Sequence, residues 1–138
     1  VSDENLIPTG EIRAVKGTPL DFTHEMPIGS RIKEAGGYDH NYIINNPTGQ
    51  LTLAARAVEP ISGRVMETLT TQPGIQLYTA NFLNGSHKGK SAVYNKHAGF
   101  CLETQHYPDS PNKPMFPSTI LKPGQIYQHT TIYRFLTK

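Results

Sequence analysis

The chain has 138 residues, 36% of them hydrophobic and 17% charged, with a formal net charge of +2. That length suits one domain with one core, and so small a charge, with no Lys/Arg cluster, marks no nucleic-acid partner. No apolar run approaches a membrane span, and with Cys101 as the single cysteine neither an intrachain disulfide nor a cysteine-built metal site is available.

Twelve glycines and eleven prolines favour short strands and turns over long helices. Residues 1–32 read as loop, broken by Pro8, Gly10, Gly17, Pro19, Pro27 and Gly29, with short strands expected around Glu11–Val15. Gly36-Gly37 is a turn leading into an apolar strand through Tyr38–Ile44. Asn45–Gly49 has turn chemistry, and Leu51–Val58 reads as the returning arm of a hairpin. Arg64–Gln72 alternates, with Val65, Glu67 and Leu69 on one face. Ile75–Thr79 follows, with Gln76 and Tyr78 sharing a face. Residues 84–98 are a polar surface connection. The strand Phe100–Gln105 comes next, then a proline-stiffened loop over Pro108–Pro117, a Pro123-Gly124 turn and a last strand through Gln125–Leu136. The expectation is one all-β domain over 1–138, an antiparallel β-sandwich with no helix and no internal repeat.

Glu103 is the only acid in the run Phe100–Gln105. Alternation puts it with Cys101 and Gln105, while Phe100, Leu102 and Thr104 face the other way. Held among apolar neighbours, such a carboxylate loses hydration and becomes a candidate general base; at a sheet edge it simply reaches water. The strand alone leaves both open. Asp39, Gln76 and Glu103 form a polar set at strand ends or among apolar residues, with Tyr38, Tyr78 and Tyr107 as aromatic company of the kind that lines sugar sites. A glycosidase would pair Glu103 with a second carboxylate, for which Asp39, Asp109 and Glu67 are available. The six histidines, His24, His40, His87, His97, His106 and His129, make no HxH or HExxH pattern, so no metal site is expected. Cys101 lacks an activating context and reads as a small buried hydrophobe.

Three segments, GGYDHNY (36–42), PGIQLYTANF (73–82) and GFCLETQHYPDSPNKPMFPSTILKPGQIY (99–127), resemble the aldose 1-epimerases, or galactose mutarotases. ENLIPTGEI (4–12) and GTPLDF (17–22) resemble the segment leading into those motifs, so the likeness runs along nearly the whole chain. It implies a β-supersandwich of the mutarotase kind and interconversion of the α and β anomers of a hexose such as galactose or glucose. It further implies that Glu103, in LETQ, is the catalytic base, that Asp39, in YDHN, and Gln76, in GIQ, bind the sugar, and that no cofactor is involved. Ala80 departs from the family's YTGNF, which has glycine there.

In the family the general-acid histidine lies before ENLIPTGEI, and none of the six histidines here matches it. The chain opens on Val-Ser-Asp-Glu-Asn without an initiator methionine. The expectation is therefore the carboxy-terminal part of such an enzyme, completed by a separate amino-terminal fragment. The competing reading is a non-catalytic carbohydrate-binding or structural remnant of the same fold. A cytoplasmic setting is expected from the lone thiol.

Overall fold

The computed structural model describes residues 1–45 and 49–138, so most of the turn expected over Asn45–Gly49 lies outside the described residues. The chain divides into two compact units, one made of Val1–His40 and Leu77–Cys101, the other of Asn41–Gln76 and Leu102–Lys138.

The described elements are nearly all strands: β1 (Asp39–Ile43), β2 (Thr52–Val58), β3 (Arg64–Thr70), β4 (Gly74–Tyr78), β5 (Lys88–Gly89), β6 (Ala92–Val93), β7 (Cys101–Gln105) and β8 (Thr131–Thr137). Short 3-10 turns occupy Ile28–Arg31 and Ser110–Asn112. One sheet runs β1-β4-β7, a second β2-β3-β8, and β5 and β6 pair by themselves. Among the described residues the expected β1–β2 hairpin is not formed. β2 pairs instead with β3, antiparallel from Val58↔Val65 to Thr52↔Thr70. Turn chemistry marks where a chain reverses, but not which strand it meets next. Glu11–Val15 forms no strand, and the last strand starts at Thr131 rather than Gln125. The 84–98 connection carries the β5–β6 hairpin, whose Lys90 and Ser91 both take positive φ, as a two-residue hairpin turn demands.

In the first unit the core centres on Tyr38, which is 0% exposed. Its hydroxyl donates to the Pro19 carbonyl at 3.1 Å, and Phe22 meets its ring edge-on at 5.2 Å. Thr79 and Asn81 clasp its backbone: Tyr38 N–H donates to Thr79 Oγ1 (2.9 Å), and Asn81 Nδ2 donates to the Tyr38 carbonyl (2.9 Å). Gly37 is needed beside this clasp, since a Cβ there would lie 2.3 Å from Asn81 Oδ1.

In the second unit β3 is the middle strand and buries Val65, Glu67, Thr68 and Thr70. Arg56 on β2 and Arg134 on β8 both stand opposite Glu67 in register. Arg134 bonds Glu67 Oε2 through Nε at 2.9 Å, and Arg56 Nε lies 3.4 Å from Oε1. This rung of charges crosses the sheet and neutralises a carboxylate that is only 9% exposed.

Candidate active site

β7 meets β8 at two points: Tyr133 Oη donates to the backbone carbonyl of Leu102, and the Thr104 side chain lies against that of Thr131, Oγ1 to Oγ1 at 2.6 Å. With the Thr104 side chain turned that way, period-two alternation turns Cys101, Glu103 and Gln105 to the opposite side. Among the described residues β7 is the edge of its sheet, with β4 as its one neighbouring strand. Glu103 and Cys101 are exposed. Of the two environments considered for Glu103, the structure takes the water-reaching edge over the apolar pocket. Cys101 is likewise no buried hydrophobe, because it shares that outward face.

Gln76, on β4, stands in the neighbouring strand. Gln105 Nε2 donates to Gln76 Oε1 at 3.0 Å and to Asn41 Oδ1 at 3.3 Å. Three side-chain amides thus join β1, β4 and β7 of one sheet. Gly74 makes room for the row, since a Cβ at that position would lie 2.7 Å from Asn41 Oδ1 and 3.1 Å from the Tyr107 ring. Gln105 and Asn41 were not singled out from the sequence. The signal was present, because alternation already set Gln105 on the face of Glu103.

Asp39 opens β1 in the first unit and is half-buried. Its backbone N–H donates to Nδ1 of His40 at 3.1 Å, so the neutral His40 ring carries its proton on Nε2. Burial holds the His40 pKa below the ordinary 6.5, against the opposing pull of Asp39.

The aromatic company divides. Tyr38 is core and no sugar platform. Tyr78 stacks on Phe82 at 6.2 Å, and Tyr107 packs edge-on against Phe116 at 5.2 Å. Burial raises the Tyr107 pKa. Two of the carboxylates considered as partners for Glu103 are also occupied elsewhere. Glu67 is locked between arginines, and Asp109 is bound by Lys113 (3.1 Å) and Asn112.

Next to β7, His106 joins a cluster. Gln72 Nε2 donates to Tyr127 Oη (2.8 Å), which leaves Gln72 Oε1 to accept from His106 Nδ1–H (2.8 Å). The His129 ring meets that of His106 at 5.3 Å. Burial, with His129 as a lesser cause, lowers the His106 pKa from 6.5. Among the described residues no group of three or more His, Cys, Asp or Glu side chains could hold a metal ion, and no helix is long and apolar enough to cross a membrane.

Comparison with known proteins bears on the family of the chain. The family model described as Aldose 1-epimerase matches residues 1–134. Galactose mutarotase from Homo sapiens is 48% identical over 136 residues, and that from Bos taurus 50%; each match takes in 96% of this chain and 40% of the relative. Aldose 1-epimerase from Escherichia coli is 31% identical, over 99% of the chain and 42% of the relative. The crystal structure of a GalM/aldose epimerase homologue from C. elegans superposes with a TM-score of 0.86 at 28% identity, over 99% of this chain and 42% of that one. The chain thus spans about two-fifths of the length of the relatives it matches.

Proposed function

The chain belongs to the aldose 1-epimerase family, and on that premise we propose that it carries the base side of a mutarotase site for hexoses such as galactose or glucose. Glu103 takes the proton of the anomeric hydroxyl. The C1–O5 bond breaks as a general acid protonates the ring oxygen, the aldehyde end turns about C1–C2, and reclosure returns the protons and inverts C1. Gln76 holds a ring hydroxyl, and Asp39, by its place in the YDHN motif, holds another. The steps move protons and break and re-form C1–O5 with no change of oxidation state, and they call for neither cofactor nor metal.

The observation that carries the reading is the adjacency of β4 and β7, with Gln76 and Gln105 hydrogen-bonded at 3.0 Å and Glu103 exposed two residues along from Gln105. An exposed carboxylate is open to a ligand. Its desolvation then belongs to the complex, where the sugar covers it. The general acid is assigned to a histidine outside these 138 residues, on an amino-terminal segment whether joined or separate. We read residues 1–138 as the carboxy-terminal part of one such domain, in a cytoplasmic protein.

Polarimetry of freshly dissolved α-D-galactose tests this. Together with the segment bearing the acid, the chain is expected to speed mutarotation, and Glu103→Gln is expected to cut the rate at least about a hundredfold. Full activity in Glu103→Gln overturns the assignment of the base. Galactose binding with no rate above buffer, even with that segment supplied, favours the carbohydrate-binding remnant.

A further inference from the structure

Residues 121–130 are exposed along their whole length and form no strand. They are fastened to the rest of the second unit at Thr71 and Gln72, just past β3. Thr71 N–H donates to the Thr130 carbonyl (3.0 Å), Thr130 N–H donates to Thr71 Oγ1 (3.0 Å), and Gln72 bonds Tyr127 Oη (2.8 Å). Two imidazoles meet at the same place. The half-buried His106 ring, just past β7, stands edge-on to the exposed His129 ring with centroids 5.3 Å apart. His106 Nδ1 lies 2.8 Å from Gln72 Oε1, and His129 Nδ1 lies 3.1 Å from Thr71 Oγ1. Tyr127 closes the group, its ring 4.9 Å from that of His129. A positive charge finds no counter-charge in this cluster. Thr71 and Gln72 are neutral, Tyr127 titrates well above the histidine range, and Glu67 on β3 and Arg134 on β8 are bound to each other. Among the described residues neither ring meets a carboxylate, and the one charge that bears on His106 is that of His129, which repels it.

We propose that His106 and His129 form an acid-released latch: with the rings neutral, residues 121–129 are fastened to Thr71 and Gln72, and when both rings carry protons the like charges free the segment. Burial and repulsion act in the same direction. Both favour a neutral His106 in the fastened form, so the open form takes up protons first as pH falls below 6.5. The β2-β3-β8 ladder is made of backbone pairs away from these rings, so the release is local. The latch does not depend on the sugar reading.

NMR of the chain at pH 7.5 and at pH 5, with amide exchange, tests it. At pH 7.5 through-space contacts between the His106 and His129 rings and a slowly exchanging Thr71 amide are expected. At pH 5 the ring contacts should vanish and the protection of Thr71 should fall about tenfold, the scale of one repulsive pair at this separation, while the amides of β3 keep theirs. His129→Gln leaves Thr71 a polar partner that cannot charge. It should hold Thr71 protected at pH 5 and raise the pH at which His106 titrates. His106→Gln should likewise stay fastened. Unchanged Thr71 protection in the parent between pH 7.5 and 5 overturns the proposal, as does its loss in both single variants to the parent's extent. A loss at pH 5 that spreads equally over β3 also overturns it, since that is unfolding of the whole sheet.

Discussion

Ala80 takes φ +52, in the left-handed region, while 5% exposed. A residue with a Cβ bears a strain of about 1–2 kcal/mol there. This gives a physical meaning to the sequence departure noted at YTANF: the glycine of the resembling family fits a backbone that alanine tolerates poorly. Ala80→Gly relieves the strain but loosens the unfolded chain by about 0.4–1 kcal/mol, so a net gain of roughly 0.5–1 kcal/mol is expected. Thermal unfolding should then rise by roughly 3 °C, and an unchanged or lower midpoint would contradict it. Gly37→Ala should act in the opposite direction. It sets a Cβ into Asn81 at a position of φ +90, and a loss of more than about 1 kcal/mol is expected in denaturant titration.

The strands show where local pattern sufficed and where it did not. Period-two alternation placed β3, β4 and β7 and correctly paired Glu103 with Gln105, because side-chain direction is a property of the strand alone. The partner of a strand is not such a property. β2 met β3 rather than β1, and the Thr104 side chain met Thr131, far along the chain. Alternation leaves Glu103 on the face away from Thr104, where it is exposed. Tyr38, expected among the aromatics of a sugar site, is core for a related reason: residues on distant segments, Pro19, Phe22, Thr79 and Asn81, enclose it. Glu67 alternated as expected, and only the register shows it between two arginines. Its truncation, Glu67→Ala, removes the carboxylate that both arginines bind, and since those arginines are themselves about half exposed it should cost about 1.5 kcal/mol by denaturant titration. Removing the half-exposed partner, Arg56→Met, should cost less than about 1 kcal/mol. Equal costs for the two would argue against the rung.

Across the whole molecule, two histidines set a common pH dependence. Burial lowers the pKa of both His40 and His106 below 6.5. As pH falls through about 6.5 the unfolded chain takes up protons before the folded one, so stability held at neutral pH declines as the solution is acidified through and below that value. Thermal midpoints between pH 7.5 and 5 should therefore fall, and His106→Gln should flatten part of the slope. A profile rising toward pH 5 would have the wrong sign.

The same scale frames the account of function, in which Gln76 and Glu103, on neighbouring strands of one sheet, serve one sugar. Residue-resolved NMR during a galactose titration tests that most directly. The signals of Gln76 and Glu103 should move together along one saturation curve. Stillness at both Gln76 and Glu103 up to saturating sugar would contradict the account.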